Sequence, residues 1–465
     1  LTFKEKDLPK PGAGALLELP TVLGRPSEGP PALTAGAVDE RETGGWHRLM
    51  VYDPRVPKVW FRLVLPFGST VEPADKLGIA NLAAEMVLRG TTDRPREVFE
   101  ETLEGLGASV DAIVSEDSVS FSGDVLAENW SKLAVLLEDA FRDAAFRDDD
   151  FADLVDEVEA DLDDARNDDR WLGRSFYDKG LYGAHPYGRP ILGTKKTLAK
   201  ITAADTKAFY QQWFGSRSAI LALLGAFDGG AGSDLARIAG KLEANAPEVE
   251  AVELPAAPEG RRLWLIAKPD RSQLQMNLGH FTARMDDPAY PAMWLANEAF
   301  GGSGFGARMM AEIREKNGYS YGTYGSFDQA KQASTYTMWI FPALEQAEPA
   351  LKLLLSLYEE FAAKGLTETE LAYARGAILN SAAFYADTPR KRLSYEVRKR
   401  VTGDDPLSLL GAVKAATLEE VNAAAAAGFH PADLFGTVVA PKEFLPVLQG
   451  IVGADAVTVV PYDQE

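Results

Sequence analysis

The sequence predicts an α+β protein built from two homologous domains, each a mainly antiparallel sheet covered by helices. Its predicted strands come in adjacent pairs and its helices in separate runs, which is the pattern of the α+β class. The stretch that begins at Ile201 recurs without a gap near the carboxyl end, so that Thr202 corresponds to Thr417 and Phe214 to Phe429. A repeat of this length indicates a duplicated domain rather than a solenoid.

Composition places the domain boundaries. The opening segment, residues 1–35, is rich in Pro and Gly and is predicted to be an extended arm. A stretch rich in Pro, Glu and Ala, residues 242–260, is predicted to be the linker. The first domain then spans residues 36–241 and the second spans residues 261–465.

The elements of the first domain follow from hydrophobic period and from turn residues. Strands are predicted for "KVWFRLVLPFGS", for the two halves of "SVDAIVSEDSVSFSGDV" around their "SED" turn, and for "SAILALLGAF". Helices are predicted for "REVFEETLEGLGASV", with a stop at Gly105 and Gly107, and for "ENWSKLAVLLEDAFRDAAF" and "ITAADTKAFYQQWF". In "FADLVDEVEADLDDAR" apolar residues recur every three or four positions, which also predicts a helix.

The same order returns in the second domain. A strand is predicted for "QLQMNLGHFTA", and a helix for "PAYPAMWLANEAF". A strand pair is predicted for "YSYGTYGSF" and "ASTYTMWIF", followed by the helix "EPALKLLLSLYEEFAAKG".

Charge and composition exclude several classes of function. The 465 residues include 69 acidic and 48 basic side chains, a net charge of −21, so nucleic acid and anionic membrane surfaces are not expected partners. Cysteine is absent, which removes disulfides, thiolate metal sites and cysteine nucleophiles. No apolar run approaches the ~20 residues of a membrane span. The compartment stays open between periplasm and cytoplasm; the periplasm is favoured if a leader was removed before Leu1.

The stretch "GIANLAAEMVLRGT" has the form of a metal-binding helix without its ligands. Asn81 and Glu85 stand one helical turn apart on one face, the spacing that zinc helices use for two histidines. Ala84, beside them, can neither bind a metal nor accept a proton.

Other sequence motifs for catalysis are weak. The four histidines, His47, His185, His280 and His430, lie far apart in sequence and are expected to be structural. The Gly-rich "GGSGFGAR" follows a predicted helix rather than a strand, which argues against a dinucleotide-binding loop.

The motif stretch resembles the pitrilysin and insulysin family of zinc metallopeptidases, the inverzincins, which carry G-x-A-H-x-x-E-H-M-x-F-x-G-T. Five positions fall in register: Gly78, Ala80, Met86, Gly90 and Thr91. The later stretch "LYGAHPYGRPILGTKKTLAKITAADTKAFYQQWF" also resembles this family, as does the arrangement in two halves.

The resemblance implies that this chain has lost its own zinc site. The family's two metal histidines fall on Asn81 and Glu85, its catalytic glutamate on Ala84 and its third ligand on Asp161, so all four positions differ. Asp161 is expected on the apolar side of its helix. No cofactor is therefore expected in this chain, and zinc is expected in a partner subunit.

The second half keeps one pair that the resemblance makes functional. "EIREKNGYSYGTYGSF" resembles the family's R-x-x-x-G-[LY]-x-Y segment, with Arg314 and Tyr321 at its Arg and Tyr. In the family this pair contacts the substrate near the scissile carbonyl, where a cation and a phenol can stabilise developing charge. Gly318 is expected to end the helix of Arg314, and Tyr321 to start the next strand. Spacing alone leaves open a solvated Arg and a packed Tyr.

The resemblance therefore predicts the inactive, non-catalytic subunit of a bacterial two-chain zinc peptidase that hydrolyses peptides. The two domains would form half of a clam-like chamber, closed by a homologous catalytic subunit that bears H-x-x-E-H. The edge strand expected to hold peptide substrate includes Ser109, Val110, Asp111 and Ala112. Two alternatives remain: a structural scaffold, and a peptide-binding pseudo-peptidase without a proteolytic role.

Overall fold

A computed structural model describes residues 36–242, 246–302 and 304–464, and the predicted extended arm, residues 1–35, lies outside these ranges. The described residues form two six-stranded sheets, each with helices against it, which confirms the predicted α+β class and the two-domain repeat. None of the described helices is both long and apolar enough to cross a bilayer.

The first sheet has the strand order β1-β2-β6-β3-β5-β4. Neighbouring strands run antiparallel except β2 and β6, which run parallel. The strands are β1 Val38–Thr43, β2 Trp46–Tyr52, β3 Lys58–Leu65, β4 Ser109–Val114, β5 Val119–Leu126 and β6 Ile220–Gly225.

Eight helices belong to the described part of the first half. They are α1 Ile79–Val87, α2 Arg96–Leu106, α3 Trp130–Asp143, α4 Asp148–Ala165, α5 Asp169–Tyr182, α6 Lys195–Leu198, α7 Ala203–Trp213 and α8 Ala231–Ala239. One large apolar core joins α1, α3, α4, α7 and α8 to one face of the sheet. The helix α2 continues through Gly105 and ends at Gly107, which adopts φ +62°.

The second sheet has the order β12-β7-β11-β8-β10-β9, with β12, β7 and β11 parallel and the other neighbours antiparallel. Its strands are β7 Arg262–Ala267, β8 Gln275–Phe281, β9 Thr323–Gln329, β10 Ser334–Ile340, β11 Phe435–Ala440 and β12 Val457–Pro461. The helices are α9 Tyr290–Phe300, α10 Leu344–Lys364, α11 Glu368–Ser381, α12 Pro389–Thr402, α13 Leu410–Ala415, α14 Leu418–Gly428 and α15 Leu445–Val452, and a π-helical segment spans Met310–Lys316.

The repeated threonines begin equivalent helices. The hydroxyl of Thr202 accepts the backbone N–H of Asp205 while the Asp205 carboxylate accepts the N–H of Thr202, a capping box that starts α7. Thr417 and Glu420 form the same box at the start of α14. Both helices lead into fully buried strands, β6 and β11. The internal repeat thus preserves helix-start chemistry as well as apolar pattern.

Each half sends one helix onto the sheet of the other half. The helix α5 packs on the second sheet, where Tyr177 contacts Phe435 with ring centroids 5.9 Å apart and Thr437 Oγ1 donates to the Gly173 carbonyl at 2.7 Å. The helix α12 covers β2 and β6 of the first sheet through Leu393 and Val397. Each sheet therefore relies on the opposite half to cover one of its faces.

A buried lysine also joins the halves. The Nζ of Lys268, just after β7, donates to the carbonyl oxygens of Arg166 (2.7 Å) and Asn167 (3.4 Å) and to Oδ1 of Asp169 (2.6 Å). These groups end α4 and begin α5, so one side chain of the second half fixes the junction of two helices of the first.

Candidate functional site

The motif helix α1 begins at a left-handed glycine under a carboxylate cap. Gly78 has φ +95°, and a Cβ there would lie 2.7 Å from the carbonyl oxygen of Leu192, so only glycine fits. The buried Glu72 carboxylate accepts the backbone N–H groups of Gly78 (3.1 Å) and Ala80 (2.8 Å), two donors that a helix start leaves unpaired. Burial raises the pKa of Glu72 to about 8. Local chemistry thus fixes the start of the helix that carries the motif positions.

The motif positions lie where α1 meets β4, α4 and α7. Asn81 and Glu85 are half-buried and Ala84 is fully buried. Burial raises the pKa of Glu85; Arg89 opposes that shift, and Asp111 on β4 and Asp161 on α4 are among the acids that add to it. The carboxylates of Glu85, Asp161 and Asp111 are therefore close enough to interact electrostatically.

The expectation that Asp161 faces the apolar side of α4 is wrong. Its side chain is exposed, while Leu154, Val158 and Leu162 form the buried stripe. An α-helix turns by about 100° per residue, which places Asp161 at the flank of that stripe, on the side of Glu85.

These residues do not fit a zinc ion. A catalytic zinc site requires three protein ligands and an open position. Asn81 offers only a neutral amide, Ala84 offers no donor, and Glu85 and Asp161 are two hard carboxylates. Within residues 36–242, 246–302 and 304–464, no group of three or more His, Asp or Glu side chains is arranged to hold a metal ion. The donor set therefore supports no hydrolytic step on α1.

The strand β4 forms an edge of the first sheet. It is last in the strand order and pairs with β5, with Ser109 opposite Asp124 and Ala112 opposite Phe121. Ser109 and Asp111 are exposed, whereas Val110 and Ala112 are half-buried. Among the described residues no strand pairs with its outer side, and an edge of this kind can accept an added strand.

The structure brings Arg314 and Tyr321 together. The guanidinium carbon of Arg314, on the π-helical segment, lies 4.4 Å from the centroid of the Tyr321 ring. Tyr321 is 75% exposed. Gly318, with φ +65°, follows the end of the helical segment. The expectation that Tyr321 starts a strand is wrong by two residues, since β9 begins at Thr323 and Tyr321 lies in the preceding turn. That turn frees the ring to cover Arg314.

A third side chain, which the sequence did not single out, completes this cluster. The ring centroid of Phe305 lies 5.1 Å from the Arg314 guanidinium carbon, and Phe305 is 65% exposed. A Cβ on Gly304 would lie 2.0 Å from the Tyr373 hydroxyl, and one on Gly306 would lie 2.6 Å from the Tyr373 ring. The two glycines therefore let the loop pass over Tyr373. The signal was present in the sequence, as an aromatic residue between glycines in "GGSGFGAR".

No hydrogen bond, ion pair or ring contact between described residues joins the Arg314 cluster to α1 or β4. The motif helix belongs to the first half and the cluster to the second.

Two histidines that are distant in sequence meet in the second half. The rings of His280 and His430 lie 4.9 Å apart. The Nε2 of His280 accepts the Tyr358 hydroxyl (2.6 Å) and the His430 backbone N–H (3.2 Å), and Nδ1 donates to the carbonyl of Phe281 (2.7 Å). Burial lowers the pKa of His280 to about 4, so the ring is neutral and its hydrogen bonds are structural.

Comparisons with known proteins agree with this architecture. Residues 49–195 match the family model described as insulinase, peptidase family M16, and residues 200–378 match the model described as the peptidase M16 inactive domain. A crystal structure of a peptidase M16 inactive domain from Pseudomonas fluorescens has a TM-score of 0.78 and 24% identity, and the match covers 87% of this chain and 98% of that one.

Two curated relatives span nearly the whole chain. An uncharacterized zinc protease of Mycobacterium tuberculosis is 24% identical over 412 residues, 85% of this chain and 92% of the relative. A protein of Helicobacter pylori described as a non-peptidase homolog is 23% identical over 418 residues, 88% of this chain and 96% of the relative. The two model matches run from residue 49 to residue 378, across both halves. The chain belongs to peptidase family M16, the insulinase family.

Proposed function

We propose that this chain is the non-catalytic subunit of a two-chain zinc peptidase. The observation that carries the proposal is the Arg314 guanidinium held 4.4 Å from the centroid of a Tyr321 ring that is itself 75% exposed. A structural Tyr packs into a core, whereas this one presents its ring and hydroxyl to solvent beside a cation. The pair has the chemistry that a peptide carbonyl requires as negative charge develops on its oxygen.

The division of labour follows from the donor sets. This chain supplies the Arg314 guanidinium and the Tyr321 hydroxyl, both of which can donate to the scissile carbonyl oxygen. A partner that bears H-x-x-E-H would supply zinc, which activates a water, and the general base. The absence of an imidazole at positions 81 and 85 and of a general base at position 84 is what makes a partner necessary.

The rings around Arg314 have a role in this proposal. Contact with the Phe305 and Tyr321 rings orients the guanidinium of Arg314, and Glu315 Oε1 lies 3.4 Å from its Nε. The two terminal Nη groups can still donate to a substrate carbonyl, because the rings contact the face of the guanidinium and hydrogen bonds use its edge. Orientation before binding reduces the entropy lost when a substrate carbonyl is held.

The second candidate is a peptide-binding role without proteolysis, and the edge of β4 favours it. A peptide could pair with Ser109–Ala112 through backbone hydrogen bonds whether or not a partner is present. In the two-chain proposal the same edge guides substrate along the chamber wall.

The test reconstitutes the complex. The purified chain is mixed with an H-x-x-E-H relative from the same genome, and cleavage of fluorogenic peptides is followed. We expect no zinc-dependent cleavage by this chain alone and cleavage by the mixture. Arg314→Ala and Tyr321→Phe should each lower kcat by about 100-fold to 1,000-fold, the scale of one lost oxyanion donor. Arg55→Ala, an exposed arginine paired with Asp53, is the control and should leave the rate unchanged.

Two results would contradict the proposal. One is wild-type kcat in both variants with the complex intact. The other is cleavage by this chain alone that disappears in Glu85→Gln. Peptide binding by the isolated chain, without cleavage in any mixture, would favour the second candidate.

A further inference from the structure

A cleft lies between the first sheet and the helix that the second half places on it. The helix α12 covers β2 and β6, and beside it residues of β3, β5 and β4 line a recess that no other described element fills. The cleft encloses about 640 Å³ and is lined by residues of β3, the β4–β5 turn and α12. Ile113, in its wall, is 57% exposed. The cleft is therefore continuous with the free edge strand.

Four cationic side chains line this cleft. Arg62 comes from β3, and Arg390, Lys391 and Arg398 come from α12. Arg390 and Arg398 are two helical turns apart and so lie on one face. The sequence of α12, "PRKRLSYEVRKRVT", has six basic residues and one acidic residue in a chain whose net charge is −21. Positive charge is thus concentrated against the overall balance of the molecule.

Among the described residues Arg62 and Arg390 form no ion pair, although the hydrogen bond from Lys58 and, to a smaller extent, the charge of Arg390 lower the pKa of Asp124. Among the described residues Arg62 has no ion pair or hydrogen-bond partner, and burial lowers the pKa of its guanidinium. Arg390 lies over the Trp60 ring at 5.7 Å. Arg398 reaches Asp404 only at 3.9 Å, while Lys391 pairs with Asp387 at 3.0 Å. A guanidinium without a counter-charge is costly unless a ligand supplies one.

Two of the acids near the cleft, Asp117 and Asp124, are held by other partners. Both oxygens of Asp117 accept the Tyr187 hydroxyl at 2.8 Å, and Oδ2 also accepts the backbone N–H of Lys331 at 2.8 Å. Burial raises the pKa of Glu116, which favours its neutral form. Asp111 and Asp124 lie on the same open face nearer the sheet edge, and Asp124 is paired with Lys58 at 2.6 Å.

We propose that this cleft binds the acidic side chains of an extended peptide segment. The proposal rests on the peptide-handling function above and names its substrate class: peptides with Asp or Glu residues that lie across the open sheet face. Arg62 and Arg390 pair with the carboxylates, and the exposed Ile113 contacts the apolar parts of the segment. A long polyanion would be repelled by the net negative charge of the whole protein. A short acidic segment interacts mainly with the positive charges of the cleft, because more distant charges are screened.

The test uses the isolated chain and measures fluorescence anisotropy of a labelled, amidated, Asp/Glu-rich peptide at low salt. A peptide in which Asn and Gln replace Asp and Glu should bind at least about tenfold more weakly. Arg62→Gln and Arg390→Gln should each lower the affinity for the acidic peptide by about fivefold, the effect of losing one partly desolvated charge pair. Lys352→Gln, an exposed lysine paired with Glu348 on α10, is the matched control and should bind as wild type. Arg62→Lys should keep most of the affinity.

Equal binding of the acidic and neutral peptides overturns the proposal. So does wild-type affinity in both Arg62→Gln and Arg390→Gln when their melting temperatures match wild type. If a neutral peptide binds only with a free carboxyl terminus, the cleft recognises chain ends and not side chains, which also overturns it. If Arg62→Gln fails to fold, the affinity of Arg390→Gln, a substitution on the exposed first turn of α12, tests the proposal. This assay contains neither a partner nor zinc, so failure here and failure of the two-chain peptidase are distinguishable.

Discussion

Removing the amine of Lys268 should destabilise the protein more than any loss of a surface charge. The side chain is only 7% exposed, and Lys268→Met removes an ion pair with Asp169 and hydrogen bonds to two carbonyls at the end of α4. Breaking a buried pair on one side costs about 3–5 kcal/mol, since the partner is left desolvated. Asp169 keeps Arg271 at 3.3 Å, so we expect the lower end, about 3 kcal/mol.

The measurement is a thermal melt followed by circular dichroism. For a chain of 465 residues that unfolds as one unit, 3 kcal/mol corresponds to a fall in Tm of roughly 3 °C. The control is Lys364→Met, which removes an exposed lysine paired with Glu360 one turn away and should shift Tm by less than about 1 °C. If Lys268→Met melts together with this control, the buried lysine does not hold the halves together and the reasoning from burial is refuted.

The remaining predictions concern pH and backbone conformation. Burial raises the pKa of Asp178 from 3.8 to about 6 despite the hydrogen bond from Arg174, so the folded state gains stability relative to the unfolded state as pH falls through 6. Asp178→Asn keeps an acceptor for Arg174 but does not titrate. Between about pH 7 and pH 4 the free energy of unfolding in urea should therefore rise by up to roughly 3 kcal/mol more for wild type than for this variant. Parallel pH profiles of the two proteins would disprove the shift. Gly78→Ala should lower the free energy of unfolding by about 2 kcal/mol or more, because it combines φ +95° with a Cβ 2.7 Å from the Leu192 carbonyl oxygen. The control is Gly105→Ala in α2, where a Cβ meets no atom within 4 Å; it should be neutral or stabilising in the same assay.

The repeat made the two-domain fold predictable, because capping threonines and buried strands are local signals. Thr202 and Thr417 sit in the same register and begin equivalent helices. What the sequence could not show is the exchange of α5 and α12 between the halves. An amphipathic helix reports that it has an apolar face but not which sheet receives it.

The candidate site was predictable where a motif fixed the register. Glu85 and Asp161 are close enough to interact electrostatically, and Arg314 contacts Tyr321. The orientation of Asp161 was missed because this residue lies at the edge of the apolar stripe of α4. A small rotation of the helix about its axis decides whether such a residue is buried or exposed. Phe305 was missed because its contact with Arg314 depends on a loop path that the Tyr373 ring and two glycines determine together.

The helix exchange has a consequence for synthesis on the ribosome. Leu49, Val51 and Val64 lie on the face of the first sheet that α12, residues 389–402, covers. Nascent chains emerge from the amino terminus, so this apolar surface is translated long before its cover. Until most of the polypeptide has left the exit tunnel, the amino-terminal half exposes an apolar sheet face. Chaperones can bind this face, and nascent chains on neighbouring ribosomes can aggregate through it.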